Sequence, residues 1–200
     1  MKKLMVFSLA VLMSSAVAQA QELGIGVKGG LNFANIDRSS SVGENYKNRT
    51  GYHFGAFALI KLSKIGIQPE VLFSKQGSHV TFNSQDVKQN YSYINIPIIL
   101  KLYTIAGINI QVGPQFGFLS SAKEETTINN VKSTDDIKSE LKSSDISAAL
   151  GLGWDLPFGL SIDARYNLGL TKINDDSSQQ ATKNQVIQVS VGYKLFKIGG

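Results

Sequence analysis

The stretch Leu160-Ser-Ile-Asp-Ala-Arg-Tyr-Asn-Leu-Gly-Leu170 alternates between two kinds of side chain along its whole length. The even-numbered positions carry Leu, Ile, Ala or Tyr, whereas the odd-numbered positions carry Ser, Asp, Arg, Asn or Gly. Side chains of a β-strand point alternately to its two faces. The stretch therefore predicts a β-strand with one apolar face and one face of small, polar or charged residues.

The same period of two recurs along the chain, although it is less regular in two of the stretches. Most of the stretches are about 10 to 12 residues long, which is the length that a tilted strand needs to cross a bilayer. The eight predicted strands are Leu23–Phe33, Gly51–Leu62, Ile65–Gln76, Tyr93–Tyr103, Ile108–Phe118, Asp145–Leu156, Leu160–Leu170 and Ile187–Leu195.

The connections between these strands alternate in length, as they do in outer-membrane barrels. Ser63–Lys64, Thr104–Ile105 and Leu156–Gly159 are short, and an even number of strands places both chain ends on this short-turn, periplasmic side. The remaining connections are polar and long, and Thr134–Leu141 within the longest is compatible with a helical turn or two. The predicted long loops are Asp37–Thr50, Gly77–Asn90, Ser120–Ser144 and Thr171–Asn184. The fold class predicted is all-β, an eight-stranded antiparallel up-and-down transmembrane β-barrel.

The first twenty residues have the layout of a cleaved secretory signal peptide. Lys2 and Lys3 precede an apolar run over Leu4–Val17, and Ala18-Gln19-Ala20 offers small residues at the cleavage site. The apolar run is too short for a membrane-spanning helix. We expect residues 1–20 to be removed, residues 21–200 to form the barrel domain, and the protein to reach the cell outer membrane after export. The absence of cysteine excludes a disulfide framework and thiol catalysis.

The predicted strands place aromatic residues in two bands, as membrane interfaces favour. The outer band comprises Phe33, Tyr52, Phe54, Phe73, Tyr91, Tyr93, Phe116 and Phe118. The periplasmic band comprises Tyr103, Trp154, Phe158 and Phe196. Alternation alone does not say which face points inward, so a soluble, lipocalin-like ligand-binding barrel is the alternative fold.

Several blocks of sequence resemble the PorT-like porin family of outer-membrane β-barrels of the Bacteroidota. The resemblance implies an eight-stranded barrel in the outer membrane of a Gram-negative cell envelope and implies little about activity. The blocks are Gly26-Val-Lys-Gly-Gly-Leu-Asn-Phe33, Gln68-Pro-Glu-Val-Leu-Phe-Ser-Lys-Gln-Gly77, Tyr93-Ile-Asn-Ile-Pro-Ile-Ile-Leu-Lys101, Gly113-Pro-Gln-Phe-Gly117, Gly151-Leu-Gly153, Ala164-Arg-Tyr166 and Val191-Gly-Tyr-Lys-Leu-Phe196.

If the polar face points inward, a set of charged residues lines the lumen. Eight strands enclose a space that side chains can fill, so a salt-bridged plug is favoured over a conducting pore. We expect Pro69, Pro97 and Pro114 to mark bulges or other irregularities, because proline cannot donate to a β-ladder. The candidate lumen charge network is Lys28, Lys61, Glu70, Lys101, Asp163, Arg165 and Lys194.

The favoured function is a structural or surface-binding role, with a narrow porin for small solutes as the alternative. A less favoured alternative is a lipid hydrolase at the outer rim, built on His53 or His79, for which Ser78, Asp86 and Ser92 are the nearest candidates along the chain. No nucleophile motif surrounds these residues, and two histidines are too few for a metal site. We therefore expect no enzyme activity, no catalytic residues, no metal and no cofactor.

The charge distribution gives no reason to expect nucleic-acid binding. Loss of Lys2 and Lys3 lowers the formal charge from +5 to +3, and the four predicted long loops hold ten basic and ten acidic residues. The expected partners are outer-membrane lipid, the outer-membrane assembly machinery and a surface partner that the sequence does not identify. Asp37–Thr50 and Ser120–Ser144 are the candidate binding loops, since loops on a rigid scaffold commonly carry binding sites.

Overall fold

The protein consists almost entirely of β-strands in the part that the structure, a computed structural model, describes. That part comprises residues 22–37, 45–82, 85–128, 131–138, 143–171 and 183–199. Within these ranges no helix has the length and apolarity needed to cross a membrane. The strands are β1 (Glu22–Asp37), β2 (Asn45–Leu62), β3 (Ile65–Phe82), β4 (Gln85–Tyr103), β5 (Ile108–Ile128), β6 (Val131–Asp136), β7 (Ser144–Asp155), β8 (Leu160–Gly169) and β9 (Lys183–Gly199).

Eight of the strands form a closed antiparallel barrel, as the sequence predicts. The order around the wall is β4-β3-β2-β1-β9-β8-β7-β5, and pairing of β4 with β5 closes the cylinder. The first and last strands pair along their length, from Glu22↔Gly199 to Asp37↔Lys183. β6 continues the line of β7 beyond the eight-stranded wall, because it pairs with the far end of β5 along the edge that β7 occupies nearer the short turns. Each of the eight predicted strands coincides with part of one barrel strand to within a residue.

The barrel strands run further than predicted at the end that carries the long connections. The predicted loop over Gly77–Asn90 is wrong, because β3 continues to Phe82 and β4 begins at Gln85. The predicted helical turn is also wrong at its start, since residues 134–136 belong to β6, and residues 139–142 lie outside the described part. These segments are largely polar in sequence and lack the apolar alternation that marks a membrane-crossing strand. We call residues 45–48, 77–82, 85–92, 119–128 and 131–136 the extension.

Three tight turns lie at the opposite end, which we call the short-turn end. Ser63 takes a left-handed conformation in the first turn, with φ of 54°. The second turn spans residues 104–107, where Gly107 has φ of 81° and a Cβ would lie 2.0 Å from the carbonyl oxygen of Asp155. Glycine is therefore required there by both backbone conformation and close approach. The chain ends Glu22 and Gly199 pair at this same end.

The three strand prolines do not mark bulges. Register shifts occur at Ile25/Gly26, Asn48/Tyr52 and Ser92/Tyr93 instead. The prolines do interrupt pairing, because each lies in a two-residue gap of one ladder across which the register is unchanged. The gaps are 58–59 against 68–69, 70–71 against 96–97, and 98–99 against 113–114. A residue without an N–H cannot donate to one neighbour, so the ladder is interrupted without slipping.

The outer surface of the wall is apolar over the membrane-crossing length. Most of the predicted aromatic band residues point outward, among them Tyr52, Phe54 and Trp154. Tyr91, Tyr93 and Tyr103 were placed in the bands wrongly, because they are buried inside the barrel. All three are odd-numbered residues of β4, as are Asn95 and Lys101. Alternate residues of a strand share a face, and this face points into the lumen. Tyr91 and Tyr93 pack with Leu119, Ala122 and Ile137 near the base of the extension.

Candidate functional site

The lumen of the barrel is the candidate site, because the wall turns its polar face inward. Residues such as Asn32, Gln111 and Ser161 are buried, whereas Leu150, Leu152 and other large aliphatic residues of the wall are exposed. A soluble barrel has the opposite arrangement, with its apolar residues inside. The lipocalin-like alternative is therefore wrong, and the exposed aliphatic surface is the one that lipid covers.

Two cations and two carboxylates form a compact cluster in the middle of the lumen. Lys28 Nζ lies 2.8 Å from Asp163 Oδ2 and 3.3 Å from Glu70 Oε1. Arg165 donates two hydrogen bonds to Glu70, from Nη1 to Oε2 at 2.9 Å and from Nη2 to Oε1 at 2.7 Å. All four side chains are at most 2% exposed. The charges balance and the guanidinium–carboxylate pair is bidentate. The mutual attraction of these groups therefore offsets the free-energy cost of removing them from water.

Amide side chains complete the hydrogen bonding of this cluster. Gln68 Nε2 donates to Glu70 Oε1 at 2.7 Å. Gln111 accepts from Arg165 Nε through Oε1 and donates to Asp163 Oδ1 through Nε2. Buried charges are stable only when their remaining donors and acceptors are satisfied, so these glutamines are part of the cluster.

A second group of charges continues the network toward the short-turn end. Lys101 Nζ lies 2.9 Å from Asp155 Oδ1 and donates to Gln68 Oε1 at 3.1 Å. The hydroxyl of Tyr103 donates to Asp155 Oδ2 at 2.7 Å. Lys101 is also 4.0 Å from Asp163 Oδ1, which connects the two groups. The ion pairs therefore extend without interruption from the middle of the lumen to the level of Asp155.

The network ends at the mouth of the barrel, around Glu22. This carboxylate is paired with Lys194 and lies 3.8 Å from Lys61 Nζ, which also stands 4.2 Å above the ring of Tyr103. Lys194 Nζ is 3.9 Å from Asp155 Oδ2. A recess of about 500 Å³ opens to solvent at the short-turn end, and the ion-paired residues Glu22, Asp155 and Lys194 are part of its lining. The recess is a blind vestibule rather than the start of a channel.

All seven charged residues proposed from the sequence belong to this set of contacts. Lys28, Glu70, Lys101, Asp163 and Arg165 are buried in the lumen, while Lys61 and Lys194 lie at the mouth. The carboxylates of Glu22 and Asp155 were missed, because each stands at the very end of its strand. Parity could have found them: Glu22 shares a face with Lys28, and Asp155 shares one with Asp145.

His53 was expected near the outer rim, but it points into the lumen and is 2% exposed. Its Nδ1 lies 2.7 Å from Asn32 Oδ1 and its Nε2 lies 2.8 Å from Ser190 Oγ. The order Ser–His–Asn is that of a nucleophile, a base and an orienting group. Ser190 is itself 2% exposed, so a substrate cannot reach its hydroxyl. We interpret these contacts as lumen packing, and Asn32 and Ser190 lay too far apart along the chain for sequence proximity to suggest them.

The other residues considered for a hydrolase are His79, Ser78, Asp86 and Ser92. The side chains of His79, Ser78 and Asp86 lie outside the described part, and Ser92 is a partly buried residue of β4. Among the described residues, no group of three or more His, Cys, Asp or Glu side chains could hold a metal ion.

The half of the lumen away from the short-turn end is polar, and among the described residues Asp145 is the buried carboxylate there. A recess of about 10 Å³ is lined there by amides and hydroxyls, and the buried atoms Asn95 Nδ2 and Asn167 Oδ1 face no partner among the described residues. Such a space holds about one water molecule. Gln188 and Asn32 lie below it and are hydrogen-bonded to each other. The recess therefore ends above the charge cluster.

The chain is similar to known outer-membrane proteins both in sequence, through a family model, and in structure. A family model described as "Outer membrane protein beta-barrel domain" matches residues 18–175. The crystal structure of Neisserial surface protein A is similar with a TM-score of 0.54 at 14% identity, covering 87% of this chain and 99% of that chain. Ail, the attachment invasion locus protein of Yersinia pestis, in complex with the heparin analogue sucrose octasulfate, gives a TM-score of 0.49 at 12% identity, covering 88% and 98%. OprG from Pseudomonas aeruginosa gives 0.41 at 13% identity, covering 91% and 98%. No curated protein matches the chain. At these identities the structural likeness concerns the fold alone.

Proposed function

Because the chain belongs to the outer membrane β-barrel domain family, we propose that it is a closed, non-conducting barrel of the outer membrane that holds a binding surface outside the cell. The single observation that supports this role is the buried cluster of Lys28, Glu70, Asp163 and Arg165, whose side chains are at most 2% exposed. A pore needs a continuous column of water, and charges that line it would be hydrated rather than paired to one another.

A rigid, closed barrel is well suited to present a surface. Four wall strands, from β2 to β5, continue past the wall, and β6 adds a further strand to β5. Binding residues commonly lie on segments that a rigid scaffold positions. We place the short-turn end in the periplasm and the extension outside the cell, so that the partner is a surface molecule. Lipid and the assembly machinery are the other partners that we propose, and nucleic acid is not one.

The finer parts of this proposal depend on the sequence. We assign the chain to the PorT-like porin family of the Bacteroidota because of the seven blocks quoted above. We also propose that residues 1–20 are a signal peptide that is cleaved after Ala20, and that the protein is not an enzyme. Mass spectrometry of the protein purified from the cell envelope tests the cleavage, with Gln21 as the expected first residue.

Planar-bilayer recording of the purified, refolded barrel tests the role directly. We expect no discrete current steps at any applied voltage in salt solution. A matched recording of a known open porin, prepared in the same detergent, controls for insertion. Reproducible single-channel steps from the wild-type protein would overturn the closed-barrel function and favour a narrow porin for small solutes.

A further inference from the structure

The recess at the short-turn end carries more lysines than carboxylates. Its volume of about 500 Å³ is within the range of small-molecule sites. Every residue of its lining is described, and so are the three turns at this end of the barrel. The charged residues of the lining are Glu22, Lys61, Asp155, Lys194 and Lys197.

Two of these lysines are not needed to neutralise a carboxylate of the network. The other cations of the network each form an ion pair with a carboxylate of their own. These pairs are Lys28–Asp163, Arg165–Glu70, Lys101–Asp155 and Lys194–Glu22. Lys61 lies 3.8 Å from Glu22, whose charge Lys194 already neutralises. Lys197 is exposed and takes part in no ion pair or hydrogen bond among the described residues. Two positive charges at the recess are therefore unmatched.

The ammonium group of Lys61 is held in place before any ligand binds. Its Nζ stands 4.2 Å from the centroid of the Tyr103 ring, which is a cation–π contact. The hydroxyl of Tyr103 donates to Asp155 Oδ2 at 2.7 Å, and this bond fixes the ring. A long side chain that is already ordered loses less entropy when it binds an anion. The side chain of Lys61 is still 28% exposed, so a ligand can reach it.

The uncharged part of the lining is partly apolar and adjoins the lipid-facing wall. Trp154 Nε1 donates to the carbonyl of Ala106 at 3.0 Å, so the indole ring has a fixed position. Leu156 and Pro157 add apolar surface to the lining. Trp154 is 46% exposed and also belongs to the outward-facing aromatic residues. A ligand can therefore enter from solvent or from the adjacent lipid.

We propose that this recess binds a phosphate group, with Lys61 and Lys197 as the residues that hold it. Two unmatched positive charges suit a dianion better than a monoanion. A lysine ammonium binds phosphate as a point charge, whereas the planar carboxylate is best matched by arginine, and no arginine is part of the lining. The phosphate belongs either to a small soluble ester or to the headgroup of a lipid beside Trp154. The site does not depend on the proposed function, although the placement of this end in the periplasm does.

Titration with glycerol 3-phosphate tests the proposal, because Trp154 is the single tryptophan of the chain and lines the recess. The refolded barrel is kept in a maltoside detergent, which contains no phosphate, and the emission of Trp154 is followed at constant ionic strength. The wild type is expected to give a saturable change. Lys61→Gln and Lys197→Gln are each expected to bind the ester about tenfold more weakly, since each removes a charged hydrogen-bond donor.

Lys64→Gln is the matched control. Lys64 is an exposed lysine of the first turn at the same end, and it is not part of the lining of the recess. The variant removes the same charge and is expected to bind the ester as the wild type does. Heat modifiability on gels checks that every variant is folded.

A second titration, in mixed micelles of maltoside and phosphatidylglycerol, distinguishes the two sources of phosphate. A site for a soluble ester binds glycerol 3-phosphate with and without the lipid. A site for a lipid headgroup is already occupied in the mixed micelles, so the ester binds only in pure maltoside. Either pattern supports a phosphate site.

Three results would each overturn the phosphate site. The first is a wild type that gives no saturable change in maltoside. The second is Lys61→Gln or Lys197→Gln protein that binds the ester as tightly as Lys64→Gln protein. The third is equally tight binding of succinate, which would favour a carboxylate ligand. In all these cases a barrel that stays silent in bilayer recordings leaves the closed-barrel function standing.

Discussion

Replacing Glu70 by glutamine removes one of the two carboxylates that neutralise Lys28 and Arg165. The side chain keeps nearly the same volume, so the change is electrostatic rather than steric. Glu70 receives two hydrogen bonds from Arg165 and one from Lys28, and it is 1% exposed. Removing one partner of a buried ion pair costs about 3–5 kcal/mol, which for a domain of this size lowers Tm by roughly 6–20 °C.

Heat modifiability on gels provides the assay, because a folded barrel and an unfolded chain migrate differently. The fraction that stays folded in detergent is followed against temperature for the wild type, for Glu70→Gln and for two controls. Asp135→Asn removes an exposed carboxylate of β6 and should leave the midpoint nearly unchanged. The double variant Lys28→Met, Glu70→Gln leaves one cation, Arg165, and one carboxylate, Asp163, in the cluster. Because the charges then balance again, it should recover much of the lost stability.

A Glu70→Gln midpoint that shifts no more than the Asp135→Asn midpoint would contradict a buried, water-free ion pair. That result would mean that water solvates Lys28 and Arg165 in the lumen, as it does in an open channel. A double variant that is less stable than the single variant would also contradict the charge-balance argument, because it would show that packing rather than charge determines the loss.

Three further predictions concern other parts of the barrel. Gly153→Ala places a Cβ against Gln111 Nε2, 2.7 Å from Asn109 Oδ1 and 2.8 Å from Asp163 Oδ1, and should cost about 1–3 kcal/mol in detergent unfolding. At Gly29 the nearest atom is 3.4 Å away, so Gly29→Ala should be tolerated. Equal stability of the two variants would contradict the tight packing of the lumen. Trp154 is the single tryptophan and is 46% exposed, so its fluorescence should be quenched more by lipids brominated near the headgroup than near the chain end. The reverse order would place this rim in the middle of the bilayer. His53→Ala should lower the free energy of unfolding by about 1–3 kcal/mol, because it leaves buried hydrogen-bond partners unsatisfied. Vesicles that carry the variant should hydrolyse lipid no differently from vesicles that carry the wild type. An esterase activity that the variant abolishes would restore the hydrolase hypothesis.

The membrane-crossing part of the fold could be predicted from sequence because lipid on one side and a polar lumen on the other force a strict alternation. Leu160–Leu170 shows this alternation in full, and the structure places its polar residues inward and its apolar residues outward. The extension could not be predicted in the same way. Residues 77–90 are mostly polar and show no apolar alternation, so they resemble a polar loop in sequence although their described backbone belongs to β3 and β4.

The sequence predicts which residues line the lumen, but it does not predict which of them contact one another. Parity identifies which residues point inward, so the cluster around Asp163 and Arg165 could be anticipated as a set. Which cation meets which carboxylate depends on the stagger between strands, and the separation of 135 residues between Lys28 and Asp163 carries no local signal. The tyrosines of β4 were misplaced because aromatic character was given more weight than parity.

The chemical accessibility of residue 190 measures directly whether the lumen is sealed. The natural chain contains no cysteine, so Ser190→Cys introduces a single thiol beside the charge cluster, and Ser120→Cys introduces an exposed one as a control. Each variant is reconstituted into vesicles and treated on both sides with a small, charged methanethiosulfonate reagent. A sealed lumen predicts rapid labelling at position 120 and none at position 190 until the barrel is unfolded. Labelling at position 190 at a rate close to that at position 120 would show that the lumen beside the cluster is open to water, and would contradict a sealed lumen.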